Sequence, residues 1–276
     1  PEVVRLSNRL GQSRTVHAAL TRLRDAPEEP LTPARARILK SELLSMQQRG
    51  VALTGKAKTA FNEASERLAA LSTGFGNHVL DATQQWTLKL TQQDEVSGLP
   101  QRALEALAAA ARDAGDENAT AAKGPWLLGL DMPRYIPFIT HADSRTLRET
   151  AYRAHVGRAS SGDLDNRALI EEILSLKRQQ AERLGYAHWA DLSLSGKMAE
   201  DVAAVEALLE ELRAAAFPTA EQELNDLRKI AGQHDAPEAA DLAPWDLTYW
   251  SEKLRRERFD LDQEALRPWF PLPQVL

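Results

Sequence analysis

Apolar positions along most of this chain recur with the three- and four-residue steps of an amphipathic helix. Between Thr59 and Leu80, Phe61, Ala64, Leu68, Leu71, Phe75 and then His78 or Val79 fall on one stripe, which predicts a long helix with a single buried face. Upstream, a helix-rich block runs to about Arg49. Thr32-Pro33 supplies an N-cap and a first-turn proline, and Ile38, Leu39 and Leu43 then recur at helical spacing.

The period changes to two at Trp86, Leu88 and Leu90, with Thr87, Lys89 and Thr91 on the opposite side. That alternation predicts a short strand over 86–91, and its natural partner is 125–130, beyond an alanine-rich helix at 104–114 and a flexible 115–124 loop. From Pro133 onward the pattern is helix after helix. Ser144 caps one over 146–158, and Asp165 caps another whose core face is Leu169, Ile173, Leu176 and Gln180. Val202, Val205, Leu208, Leu209 and Leu212 open a further helix that Phe217-Pro218 should kink or break before Leu224, Leu227 and Ile230 resume the stripe. The 231–243 stretch reads as a loop. Neither a helical repeat nor a domain boundary is visible, so a single helical body is expected.

Composition supports this reading. The chain holds 44 Ala and 40 Leu against 10 Val and 6 Ile, and the first two lose little rotamer freedom in a helix. The absence of cysteine excludes disulfide scaffolds, cysteine-ligated zinc and thiol nucleophiles. With a net charge of −6 and both signs interspersed, nucleic acid is not an expected partner. No apolar run is long enough for a membrane span, so a cytoplasmic location is expected. The chain opens at Pro1 without methionine and closes on an apolar stretch, Pro271 to Leu276, as a portion of a longer protein would.

Candidate chemistry is sparse. Gly50 to Lys56 has the spacing of a phosphate loop, but Ala57 stands where a hydroxyl must hold magnesium, and the preceding residues read as helix rather than strand. The six histidines, at 17, 78, 141, 155, 188 and 234, include no pair at the i, i+4 spacing that presents two imidazoles to one metal. His141, Asp143 and His155 could converge only by tertiary folding, and ordinary partly buried histidines are the better reading. Asp113 to Asn118 lacks the ligand pattern of a calcium loop and reads as solvated. Glu171-Glu172 and Glu210-Glu211 diverge by about 100° around a helix, so neither makes an acid/base pair. The six tryptophans read mainly as packing anchors.

Several dense stretches carry a family signature in consistent order. They include Asn77 to Thr83 with Trp86, Gly98-Leu99-Pro100, Leu130 to Pro137, Leu147-Arg148-Glu149 with Tyr152-Arg153-Ala154, and Leu184-Gly185-Tyr186. Ala190 to Leu194, Pro244 to Leu247 with Tyr249 to Lys253, and Leu266 to Pro271 continue the series. Together they resemble the thimet oligopeptidase family of zinc metallopeptidases, within it most closely the bacterial oligopeptidase A branch. Trp250 departs from a usual Tyr and Gly129 from a frequent Thr.

The resemblance implies a mainly α, multi-helix lobe of a neurolysin/thimet-oligopeptidase-like fold, the helical N-terminal and middle portion of an enzyme that hydrolyses short peptides in a deep, narrow channel. It also implies zinc as cofactor, held by a His-Glu-x-x-His segment that lies downstream of Leu276. No catalytic and no metal-ligating residue is therefore assigned here, this chain is expected to bind no zinc and to be inactive alone, and its partners are short peptides and the catalytic half. Trp245, Asp246 and Tyr249 are the residues expected near the channel. The alternative is a helical peptide-binding or protein-interaction module without catalysis. The isolated chain is also expected to self-associate through apolar surface meant for the catalytic half.

Overall fold

A computed structural model describes residues 2–27, 29–260 and 269–271. Leu266, Arg267 and Pro268 of the family signature lie outside the described residues. Eleven α-helices and one two-stranded sheet occur among the described residues, so the chain is mainly α, with the small β patch expected. The residues form two compact units, Pro1–His78 with Gly162–Ala214, and Val79–Ser161 with Ala215–Leu276.

The first unit contains α1 (Glu2–Gly11), α2 (Arg14–Asp25), α3 (Pro33–Gln48), most of α4 (Gly55–Gln85), α8 (Arg167–Arg183), α9 (Trp189–Leu194) and the start of α10 (Val202–Gln233). Thr32 caps α3 as expected, its hydroxyl accepting from the Arg35 amide at 3.3 Å. Leu39, Leu43 and Met46 of α3 and Phe61, Ala64 and Leu71 of α4 are buried, whereas Ile38 and Phe75 of the expected stripes are 60% and 37% exposed and Leu68 is only partly buried. Polar bonds then fix the register between helices. Gln180 donates to Ser65 Oγ at 2.8 Å, Gln12 donates to Asn62 Oδ1 at 2.7 Å, and Arg67 pairs with Glu172 at 2.6 Å.

The expected Asp165 cap is displaced by one residue. Asn166 is the N-cap of α8, but its side chain is drawn inward, with Oδ1 2.9 Å from His78 Nδ1 and Nδ2 donating to the Phe75 carbonyl at 3.2 Å. With that side chain committed, Asp165 accepts from the Arg167 amide at 2.9 Å instead.

The second unit contains β1 (Thr87–Leu90), α5 (Gln101–Asp113), β2 (Trp126–Gly129), α6 (Met132–His141), α7 (Arg145–Val156), the rest of α10 and α11 (Pro244–Phe259). The strands pair antiparallel with Thr87 opposite Gly129 and Leu90 opposite Trp126. Leu90, Trp126 and Leu128 of the sheet pack with Leu107 and Ala108 of α5 and Phe138 of α6 in one core. At Gly129, which faces Thr87 across the sheet, an added Cβ would lie 2.3 Å from Arg134 Nη2, so a larger residue there requires the flexible Arg134 side chain to shift. The 115–124 segment, expected as a flexible loop, folds back on this core. Ala119 is buried, Arg112 donates to its carbonyl at 2.7 Å, and the Trp126 indole donates to the Ala121 carbonyl at 3.1 Å.

The break expected at Phe217-Pro218 is not found, since α10 runs unbroken through Pro218. A proline removes one amide donor and crowds the carbonyl four residues earlier. Residues 206–223 are all exposed, so the Ala214 carbonyl lies where solvent can satisfy it.

Candidate functional site

Trp245, Asp246 and Tyr249 lie on the first two turns of α11, which Pro244 opens. Residues 246, 249 and 250 share the face that α11 turns inward, and that periodicity buries Asp246 with Tyr249 and Trp250. The structure brings all three candidates against α6 and α7, but it gives them different surroundings.

Asp246 is fully buried and sits at the centre of an ion network. Arg145 donates to it through Nε at 3.1 Å and Nη2 at 2.8 Å, Arg148 through Nη2 at 3.0 Å, and the Ala243 amide at 3.0 Å. Burial pushes the Asp246 carboxyl toward the neutral acid, but the hydrogen bonds from Arg145, the Ala243 amide and Arg148 outweigh it and hold the carboxyl below its ordinary range. Arg148 completes its own bonding with the carbonyls of Ala142, Asp143 and Trp245, so the corner between α6 and α7 and the start of α11 are tied to one guanidinium.

Tyr249 is buried, with the Arg148 guanidinium 3.9 Å above its ring centroid. Its hydroxyl donates to Asp143 Oδ1 at 2.9 Å, and Ser97 donates to the other carboxylate oxygen at 2.8 Å. Burial raises the pKa of the hydroxyl, and its bond to Asp143 raises it further, so Tyr249 stays a neutral donor. Trp245 is half-buried between the guanidiniums of Arg153, at 4.8 Å, and Arg145, at 5.6 Å. Its indole nitrogen is buried without a partner among the described residues. The three residues thus form a rigid aromatic and ionic joint. Asp246 and Tyr249 are committed to partners inside it and cannot also hold a diffusible ligand without breaking it.

Arg145 and Arg148 were not singled out from the sequence as site residues, and Asp143 was considered only as a metal-ligand candidate with His141 and His155. The available signal was positional: Arg148 stands one turn before buried Ala151 on the inward face of α7, where a charge requires a buried partner.

His141, Asp143 and His155 do not assemble into a ligand set. His155 stacks on Tyr135 with ring centroids 4.2 Å apart, while Asp143 is taken up by Ser97, Tyr249 and Lys253. Among the described residues, no three His, Asp or Glu side chains are grouped so as to hold a metal ion. The Gly50 to Ala57 stretch forms the turn after α3 and the first residues of α4. No helix among the described residues is long and apolar enough to cross a membrane.

Comparison with known proteins places these features in a family context. Residues 138–276 match the model described as Peptidase family M3, and residues 1–58 match that of the neurolysin/thimet oligopeptidase N-terminal domain. Over its whole length the chain is 43% identical to "Probable cytosolic oligopeptidase A" of Arabidopsis thaliana, covering 39% of that protein. It is 42% identical over its whole length to "Organellar oligopeptidase A, chloroplastic/mitochondrial" of the same plant, covering 35%. To the oligopeptidase A of Escherichia coli it is 35% identical over 98% of this chain and 39% of that one. The chain therefore spans about two fifths of the length of the curated relatives it matches.

Proposed function

Because the chain belongs to Peptidase family M3, we propose that it is the helical, metal-free portion of a zinc-dependent oligopeptidase that hydrolyses short peptides. The observation that carries the reading is the conjunction of an end-to-end match with relatives named oligopeptidase A and coverage of only 39% of their length. The zinc that the family implies does not fit the residues described here, since none of them group as a metal-binding set, and no chemical step is derived from them. The zinc ligands and the catalytic groups are assigned to the remainder of the parent protein, which is also this portion's principal partner.

In this reading the chain supplies one wall of a peptide channel, and the joint between α6, α7 and α11 keeps that wall rigid. Asp246 and Tyr249 contribute by holding α11 in place, and contact with a peptide falls to half-buried Trp245. The stripe Val205, Leu208, Leu209 and Leu212 of α10, whose leucines are more than half exposed, is the surface for the catalytic half. A cytosolic location follows the relative so named. The organellar relative is equally similar, and imaging of the tagged parent distinguishes the two compartments.

The reading is tested on zinc content and on the parent protein. After equilibrium dialysis against excess zinc and removal of loosely held ions, this chain should retain far less than one zinc per molecule. The parent should cleave a quenched short peptide in a chelator-sensitive manner. Stoichiometric zinc on this chain, or a parent without peptidase activity, overturns it.

A further inference from the structure

In the second unit, a cavity of about 580 Å³ opens beside the start of α5, a volume suited to a small ligand. Arg102 and Glu105 of α5 line one wall, Glu252, Arg255 and Arg256 of α11 the other, and His141 lies at the end of α6. Three guanidiniums face two carboxylates, leaving one positive charge in excess. Burial is the largest influence on His141 and lowers its pKa against the pull of Glu252, so near neutral pH the imidazole adds no charge of its own.

The charges are unequally committed. Glu252 is 9% exposed and is saturated by its neighbours, accepting from Arg255 Nε at 2.9 Å and Nη2 at 2.6 Å and from Arg256 Nε at 2.7 Å. Glu105 accepts from the Gln101 amide at 3.0 Å. The Nη atoms of Arg256 donate no hydrogen bond to a described residue, and the guanidinium of Arg102 makes neither a hydrogen bond nor an ion pair with one. Arg256 is nevertheless held in orientation through its Nε bond to Glu252, so a ligand meets a donor whose rotamer is already chosen.

The cavity is also pre-formed. Its rim at Gly98 is stapled to the corner between α6 and α7, where the Asp143 amide donates to the Ser97 carbonyl at 2.9 Å. The approach is close enough that a Cβ on Gly98 would lie 2.2 Å from the His141 carbonyl oxygen.

We propose that this cavity binds an oxyanion, with Arg102 and Arg256 together holding a carboxylate or phosphate group and Glu252 fixing Arg256 to receive it. Guanidinium forks match both groups in geometry and charge. A cationic ligand would instead face uncompensated positive charge. The inference does not depend on the peptidase reading, because it rests on the charge and shape of the cavity alone. Two sources share this chemistry: the free C-terminus of a short peptide, and a phosphate.

Isothermal titration of the chain with inorganic phosphate, and with an N-acetylated alanine tripeptide as free acid or as C-terminal amide, tests the proposal at matched ionic strength. Saturable binding is expected for phosphate, the free-acid peptide or both. Binding of phosphate alone assigns the phosphate source; binding of the free acid but not of the amide assigns the carboxylate. Arg102→Gln and Arg256→Gln should each weaken binding by about tenfold or more, and Glu105→Gln should strengthen it. Arg102 has no partner among the described residues, so its variant should keep the parent melting curve. No saturable binding of either anion overturns the proposal, and so does peptide binding that is as tight for the C-terminal amide as for the free acid, or an affinity unchanged by Arg102→Gln.

Discussion

Arg148 and Asp246 form an ion pair that water does not reach: Nη2 and Oδ1 are 3.0 Å apart, and the side chains are 1% and 0% exposed. Charges taken out of water are tolerated only when each finds full compensation, and here each has several partners. Removing one member strands the others. Asp246→Ala should therefore destabilise the chain by about 3–5 kcal/mol in urea unfolding at pH 7. The double variant Arg148→Met with Asp246→Leu should cost less than the sum of the single changes. A single-variant cost near zero would show that the pair does not hold α11 to α7.

The same network sets a pH dependence. Burial is the largest single influence on Asp246, Glu252 and Asp143 and pushes each up, yet the hydrogen bonds and nearby cations together hold each below its ordinary pKa. Their carboxyls bind protons more weakly when folded than unfolded, so between the two pKa values the unfolded state carries more protons and stability rises with pH. The contribution is fully present above about pH 5 and is lost as pH falls through the lower folded values. The urea midpoint should fall progressively below about pH 4, and less steeply in Asp246→Asn. A midpoint that is level into strong acid would contradict this.

Gly98 combines a left-handed backbone, φ +84°, with a neighbour that leaves no room for a side chain. Gly98→Ala should destabilise by at least about 2 kcal/mol in thermal unfolding. Gly115 also has positive φ, +104°, but nothing within 4 Å of an added Cβ. Gly115→Ala should cost only the backbone strain, about 1 kcal/mol. Equal effects at the two positions would remove the steric part of the argument.

These variants separate what the sequence made legible from what it did not. The long stripe of α4 and the alternation around Leu88 and Leu90 each belong to one element, so period alone located the helix, the strand and its partner near Trp126. The two units were not legible because the chain crosses between them within α4 and α10, where no linker composition marks the change. Pro218 does not break α10, because the amide it removes and the carbonyl it crowds lie where the helix is exposed to solvent. Asp246 was noticed through family resemblance, whereas its role depends on Arg145 and Arg148, about a hundred residues away in the chain. Long-range pairing of that kind leaves no local pattern.

The exposed stripe of α10 gives a prediction about the isolated chain. Leu208, Leu209 and Leu212 are 55%, 59% and 57% exposed. Replacing Leu208 and Leu212 with Glu should change stability by less than about 0.5 kcal/mol, since little packing is lost, while reducing self-association in size-exclusion chromatography. An isolated chain with Leu208 and Leu212 intact that elutes as a monomer at all concentrations would contradict a role for this stripe as a covered surface.

The central claim is that this portion supplies scaffold and channel wall, and that the chemistry resides elsewhere in the parent. Its most direct test is incubation of the purified chain with zinc and an internally quenched short peptide, with and without a chelator. No cleavage above the protein-free blank is expected under either condition. Cleavage that zinc supports and the chelator abolishes would contradict it.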